Sequence, residues 1–154
     1  MEKIDARKRY TQMVLKQSFL KLLKEKPVNK ITVKEVCGLA QLNRATFYAH
    51  YSDCFALLES IENELIIAFE QSLRYVNSFD VTALIEAIYD MINQNQEACR
   101  VLILGNTSST VLKRMIELAK KNSIDYWRRE LPMARETELE MMYTHLSNGL
   151  MHVV

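Results

Sequence analysis

The sequence predicts an all-α fold for this chain of 154 residues. Only three glycines and two prolines are present, too few for the many tight turns of a sandwich or barrel built from short strands. Apolar residues instead recur at every third or fourth position over long stretches, which is the spacing of one face of an α-helix. The hydrophobic fraction of 49% and charged fraction of 25% are those of an ordinary globular chain.

Charge is distributed unevenly along the chain. The formal net charge is +1, but residues 1–52 hold eleven Lys and Arg against four Asp and Glu (+7), whereas residues 53–154 hold nine against fifteen (−6). The basic N-terminal third therefore indicates a polyanionic partner for that part of the chain alone.

The first helix is predicted over residues 5–26, where apolar side chains alternate at helical spacing with Lys, Arg and Gln. Pro27 ends it, because proline cannot continue a helix. A second, short helix is expected over residues 32–40. Thr32 followed three residues later by Glu35 has the pattern of a capping box at its start.

A third short helix follows a break at residues 41–42. Asn43 is its expected N-cap, and the helix runs to about His50. The fourth helix starts at residues 52–53 and is long, because apolar residues step by three or four as far as Val76 without a Gly or Pro. It is predicted to connect two modules.

Four further helices are predicted in the C-terminal half. They cover residues 81–95, 98–104, 108–130 and 136–154. We therefore predict two domains. Residues 1–52 form a helix-turn-helix domain to which the connecting helix, residues 53–77, is attached, and residues 78–154 form a helical bundle.

Residues 32–50 carry the helix-turn-helix pattern, in which two short helices meet across a turn of about three residues. The preceding helix supplies the third element needed to bury an apolar face. Six side chains are expected to fill this small core: Val33, Val36, Leu39, Ala40, Leu42 and Phe47.

The segments ITVKEV (residues 31–36) and LNRATFYAHY (residues 42–51), with Leu57 and Leu58 behind them, resemble the DNA-binding domain of the TetR family of bacterial transcriptional regulators. The resemblance covers about residues 8–70. It implies a homodimer that binds a pseudo-palindromic operator in double-stranded DNA. It also implies a repressor, because repression is the usual role of proteins in this family.

The resemblance also implies a set of DNA-binding residues. They are Lys8, Thr32, Lys34, Asn43, Arg44, Ala45, Thr46, Tyr48 and His50. Thr32 begins the helix that crosses the DNA backbone, where a hydroxyl and free backbone N–H groups can bind a phosphate. Arg44 can bind a guanine through two hydrogen bonds, and Thr46 can contact a thymine methyl or a phosphate.

Two positions depart from the family pattern. Family members usually have a glycine in the turn where this chain has Gln41, and a non-glycine residue held at positive φ costs on the order of 1 kcal/mol. They commonly have a phosphate-binding lysine where this chain has Cys54. We expect either weaker DNA affinity or compensation by Lys30 and Lys34.

Residues 80–154 resemble, more distantly, the C-terminal domain of a TetR-family branch from low-GC Gram-positive bacteria. In the family this region binds an effector and forms the dimer through its last two helices, and family members continue beyond the position of Val154. The chain is either naturally short or truncated. Candidate effector-binding residues are Tyr89, Arg100, Asn106, Tyr126, Trp127 and His145. The alternative is that this half binds a protein partner and no small ligand.

No nucleophile elbow, Gly-rich phosphate loop, paired-carboxylate motif or metal-ligand cluster is visible, so no catalytic residue, metal or cofactor is expected. The three widely spaced cysteines, Cys37, Cys54 and Cys99, indicate reduced thiols in the cytosol. The N-terminus has no secretory signal and no stretch is long enough to cross a bilayer, so we expect a cytoplasmic protein without a membrane partner.

Overall fold

The computed structural model describes the backbone of residues 2–74, 81–105 and 110–151, and within these ranges there is no β-strand. The all-α prediction is confirmed. The helices are α1 (Glu2–Leu23), α2 (Val33–Ala40), α3 (Arg44–Tyr48), α4 (Cys54–Ser72), α5 (Val81–Gln94), α6 (Gln96–Leu102), α7 (Thr110–Glu130) and α8 (Glu136–Met151).

The predicted helix boundaries lie within a few residues of these bounds. α3 ends two residues before the predicted end at His50. A short 3₁₀ helix at Val28–Lys30, which follows Pro27, was not predicted. The predicted end of the fourth helix at Val76, the start of the seventh at residues 108–109 and the last residues 152–154 lie outside the described residues.

The chain forms two compact units, one of Met1–Leu65 with Asn95–Val111 and one of Ile66–Gln94 with Leu112–Val154. In the first unit, α1 packs against both α2 and α6. The division at residue 78 that the sequence suggests stays a prediction.

The core of the first unit is built on large side chains, and the fully buried ones include Leu15, Phe19, Val36, Phe47 and Leu57 on α1 to α4. Of the six predicted core residues, Val36, Ala40 and Phe47 are buried, and Val33 and Leu42 are half-buried. The prediction is wrong for Leu39, which is 48% exposed. Val36, Cys37 and Ala40 share the buried side of α2, and at 3.6 residues per turn Leu39 lies roughly 100° away from its centre.

In the second unit, helices are held by buried apolar side chains and by a few polar contacts. Leu139 on α8 is fully buried, and Met115 and Ile124 on α7 are buried. Tyr143 on α8 donates a hydrogen bond to the carbonyl oxygen of Ile116 on α7. In the part of the chain that the structure describes, no helix has the length and apolar character needed to cross a membrane.

Candidate nucleic-acid interface

The start of α2 is held by reciprocal hydrogen bonds between Thr32 and Glu35. The Glu35 backbone N–H donates to the Thr32 hydroxyl oxygen over 3.3 Å. In return the Glu35 carboxylate accepts from the Thr32 backbone N–H at 2.9 Å and from its hydroxyl at 2.8 Å. The predicted capping box is confirmed.

Lys26 adds a charge to this cap, because its ammonium group donates to the Glu35 carboxylate over 2.5 Å. Hydrogen bonds from Lys26 first, and from Thr32 second, lower the pKa of Glu35 from 4.5 to about 2. The carboxylate stays ionised at the helix N-terminus, where it complements the helix dipole. Since Thr32 donates its hydroxyl hydrogen to this carboxylate and accepts from the Glu35 N–H, a phosphate at this helix end would meet the N–H groups of Val33 and Lys34 and the Lys34 ammonium group instead.

The turn between α2 and α3 is closed by Gln41 in the left-handed conformation, with φ 54° and ψ 39°. It is the only non-glycine residue with positive φ among the described residues. The Gln41 N–H donates to the Gly38 carbonyl at 3.3 Å, and the Leu42 N–H donates to the Cys37 carbonyl at 3.0 Å. These two bonds are those of a Schellman motif, whose left-handed residue is usually glycine. Gln41 therefore replaces the usual glycine of the family at a position that does require a positive φ.

Asn43 caps α3, as predicted. Its side-chain oxygen accepts from the Thr46 backbone N–H at 2.7 Å and from the Thr46 hydroxyl at 2.9 Å. Both side chains are thereby held against the first turn of α3. This rigid start fixes the direction in which the following residues point.

α3 has one buried and one exposed side. Phe47 is fully buried, and its ring packs edge-on against Tyr48 and tilted against Tyr51, with centroids 5.7 and 5.9 Å apart. Arg44, Ala45 and Tyr48 are exposed, and Tyr48 keeps 57% of its surface accessible. Because residues four apart share a helix face, Arg44 and Tyr48 form one outward edge.

His50 and Tyr51 follow α3. The His50 ring is half-buried and lies 6.2 Å from the Tyr51 ring, measured between centroids. Neither the His50 Nδ1 nor the Tyr51 hydroxyl, both buried atoms, makes a hydrogen bond with another described residue. Tyr51 therefore belongs to the core, and its buried hydroxyl group has no hydrogen-bond partner among the described residues.

The basic charge of the N-terminal third is partly neutralised. Among the described residues, three lysines of this region form ion pairs with carboxylates: Lys16 with Glu64, Lys24 with Glu97, and Lys26 with Glu35.

Four other cations of this region, Lys8, Lys30, Lys34 and Arg44, are exposed and form no ion pair within the described part of the chain. Lys30 and Lys34 flank the start of α2, and Arg44 opens α3. The cations that remain available to a polyanion therefore include three on the helix-turn-helix.

α4 begins at Cys54, directly after the predicted start at residues 52–53, and a carboxylate lies at this end of the helix. Asp53 caps this helix by accepting from the Ala56 N–H at 2.8 Å, and the Ser52 hydroxyl donates to the same carboxylate at 3.3 Å. Cys54 is buried, and burial raises the pKa of its thiol. This helix start thus presents negative charge where the family pattern has a lysine, and it disfavours a phosphate.

The candidate effector-binding residues lie on several helices. Tyr89 is exposed on α5, and His145 is exposed on α8. On α7, Tyr126 is buried and Trp127 is half-buried, with its ring 6.5 Å from that of Tyr143.

Arg100 is exposed on α6, which belongs to the first compact unit, and Asn106 lies outside the described residues. All six stay predictions. No group of three His, Cys, Asp or Glu in the described ranges could hold a metal ion.

The architecture and the capped, outward-facing α3 define an all-α protein with a helix-turn-helix. No protein-family model matches the chain. A stretch of 51 residues is 31% identical to the uncharacterized HTH-type transcriptional regulator YxbF of Bacillus subtilis. This match covers 33% of the present chain and only 13% of the length of that relative.

A crystal structure of a transcriptional regulator of the TetR/AcrR family from Aquifex aeolicus VF5 is similar over most of its length. The TM-score is 0.62 and the sequence identity 16%, over 93% of this chain and 84% of that one. The chain therefore has the TetR/AcrR fold, and the resemblance predicted from the sequence is confirmed at the level of fold.

Proposed function

We propose that this protein is a DNA-binding transcriptional regulator that inserts α3 into the major groove of its operator. The observation that carries the proposal is the division of α3 into a buried Phe47 and an exposed edge of Arg44, Ala45 and Tyr48. A helix of this kind reads base edges through its first residues. Arg44 would then contact a guanine, and Tyr48 would contact the backbone beside it.

The remaining contacts would position the helix on the duplex. Lys30 and Lys34 flank the start of α2, where they would neutralise phosphates on one strand, and Lys8 would reach a flanking phosphate. Asn43 and Thr46 hydrogen-bond to each other, so we expect them to orient α3 more than to read bases. Thr32 supports the cap of α2 in the same way.

We further propose that the regulator acts as a cytoplasmic homodimer and represses transcription. A two-fold pair of α3 helices about one helical turn of DNA apart would recognise a pseudo-palindrome. A small ligand bound in the C-terminal half would alter DNA affinity by favouring a different spacing of the two helices. The fold shared with the Aquifex aeolicus regulator supports this reading.

Fluorescence anisotropy of the full chain on DNA from beside its own gene, and on scrambled duplexes, tests the proposal. We expect selective binding that weakens steeply with salt. With four available cations in each protomer, a plot of the logarithm of the binding constant against the logarithm of the salt concentration should have a slope on the order of −7 for a dimer.

Two variants and one control complete this experiment. Arg44→Ala should lose roughly tenfold or more in affinity together with selectivity, and Tyr48→Ala should lose affinity on all duplexes. Lys113→Ala removes an exposed cation from α7 and should leave affinity within about twofold. Equal and weak binding of the wild type to all duplexes would refute the proposal.

One observation favours the alternative in which the C-terminal half binds a protein. Ile85, Tyr89 and Ile92 lie on one face of α5 at helical spacing and are 62%, 65% and 42% exposed. Exposed apolar faces of this kind mark protein contacts. Under this alternative, Tyr89→Ser would abolish partner binding, and no small ligand would change DNA affinity.

A further inference from the structure

A cavity of about 570 Å³ lies between the last turns of α4 and the C-terminal half of α5. All of its lining residues belong to the second compact unit. Its volume falls within the range of sites that hold small molecules, roughly 300–1,000 Å³. None of the effector-binding residues suggested by the sequence lines it.

Part of the cavity lining is apolar, and the two helices that carry it are joined by a hydrogen-bonded side chain. Ala68 on α4 and Ala87 on α5 line it, together with the buried Met91. The hydroxyl of the buried Ser72 lies 3.2 Å from the carbonyl oxygens of both alanines, and so bridges the two helices. The two walls are therefore joined before any ligand enters, which reduces the entropy lost on binding.

The rim of the cavity carries two opposite charges from the two helices. Arg74, directly after α4, and Asp90 on α5 are both exposed and both line the cavity. Within the described part of the chain they pair neither with each other nor with another residue. The carboxamides of Gln71 and Gln94 also line it. A guanidinium and a carboxylate that share a cavity without pairing can each bind one end of a dipolar molecule.

We propose that this cavity binds a small zwitterion, a free α-amino acid with a small or medium apolar side chain. The ligand carboxylate binds Arg74, its ammonium group binds Asp90, and its side chain lies along the two alanines and Met91. The inference rests on the proposed function, for which it names the class of effector.

Other ligand classes fit this lining less well. A phosphate ester or another polyanion would meet one cation and one carboxylate, so the net charge of the cavity offers it no attraction. A wholly apolar molecule would desolvate Arg74 and Asp90 without giving either a partner. A zwitterion satisfies both charges.

Thermal unfolding and calorimetric titration of the full chain without DNA test this site. The probes are L-alanine, L-valine, L-leucine and L-methionine, each with its N-acetyl derivative, which lacks the ammonium group, and its amide, which lacks the carboxylate. We expect at least one amino acid to raise the melting temperature, because a ligand that binds only the folded state stabilises it. Neither of its two derivatives should do so.

Variants connect binding to the two charges. Arg74→Gln and Asp90→Asn should each weaken binding by roughly tenfold or more, since each removes a charge-assisted contact. Ala87→Leu should block the cavity. The controls Lys113→Gln and Glu70→Gln remove the same charges from exposed positions that do not line it and should bind as the wild type does. Circular dichroism verifies that each variant is folded.

The inference is overturned if no probe shifts the melting temperature, if the derivatives bind as well as the parent amino acid, or if the charge variants bind normally. DNA binding is measured separately without ligand. Selective DNA binding with no amino-acid binding would remove this inference and leave the proposed function intact. Amino-acid binding by a chain that does not bind DNA selectively would refute the proposed function and leave the amino-acid site in place.

Discussion

Replacing Gln41 by glycine should stabilise the protein, although it removes a side chain. Gln41 adopts φ 54° and ψ 39°, where its Cβ crowds the following carbonyl oxygen at a cost of about 1–2 kcal/mol. Glycine has no Cβ and adopts this conformation freely. Gln41 is exposed, and the two hydrogen bonds of the motif use only backbone atoms, so glycine keeps both.

The gain is reduced by the greater freedom of glycine in the unfolded chain, about 0.4–1 kcal/mol. We therefore expect Gln41→Gly to increase the free energy of unfolding by about 0.5–1 kcal/mol. For a chain of this length that corresponds to a rise in melting temperature of roughly 1–4 °C. Urea denaturation followed by circular dichroism measures the free energy, with an unchanged m-value as the sign of an unchanged unfolding reaction.

Gln41→Ala is the matched control, because alanine keeps the Cβ and hence the strain but loses the rest of the side chain. Its stability should stay near that of the wild type. If Gln41→Gly is no more stable than Gln41→Ala, the left-handed conformation at this position is not strained in the way argued, and the reasoning fails.

Three further predictions concern the same domain. Tyr51→Phe should raise stability by about 1 kcal/mol in urea denaturation, because the buried hydroxyl makes no hydrogen bond with a described residue; a loss of stability would show that it has a partner. Asp53→Asn keeps the cap of α4 and removes a negative charge from the start of this helix. The affinity for DNA, measured by fluorescence anisotropy at low salt, should therefore rise roughly two- to fivefold, and weaker binding would contradict this. Glu35→Gln should be less stable than the wild type above pH 4.5, where the lowered pKa of the Glu35 carboxyl contributes its full stabilisation, and the difference should shrink as the pH falls from 4.5 towards 2; urea denaturation across this interval checks the sign.

The sequence was most informative where structure depends on local hydrogen bonds. Thr32 with Glu35, and Asn43 with Thr46, are pairs three residues apart that cap α2 and α3 as predicted. Such contacts depend on the spacing along the chain and on little else. The caps and the approximate bounds of the two helices of the helix-turn-helix can therefore be predicted from the sequence.

Features that depend on packing between distant segments were harder to predict. Leu39 is apolar but exposed, because the orientation of α2 against α1 decides which side of the helix is buried. The partial neutralisation of the basic region has the same origin, since Lys16 and Lys24 pair with Glu64 and Glu97, more than 40 residues further along the chain.

The cavity between α4 and α5 is a further feature that the sequence does not predict. It depends on two alanines of different helices that line one space and on Ser72, which bridges the two helices, and none of these residue types signals a site by itself. The sequence indicates aromatic and charged residues such as Tyr89 and Arg100 as candidates instead. Only the arrangement of the helices shows that Arg74 and Asp90 line one space.

The central claim, that α3 reads DNA sequence, is tested most directly by selecting the duplexes that the full chain binds from a random pool. We predict enrichment of a pseudo-palindrome whose half-sites lie about one helical turn apart, roughly 10 base pairs from centre to centre. The same selection with Arg44→Ala should lose the preference at one guanine in each half-site and keep it elsewhere. A pool without an enriched sequence, or an enriched sequence that Arg44→Ala leaves unchanged, would contradict the account.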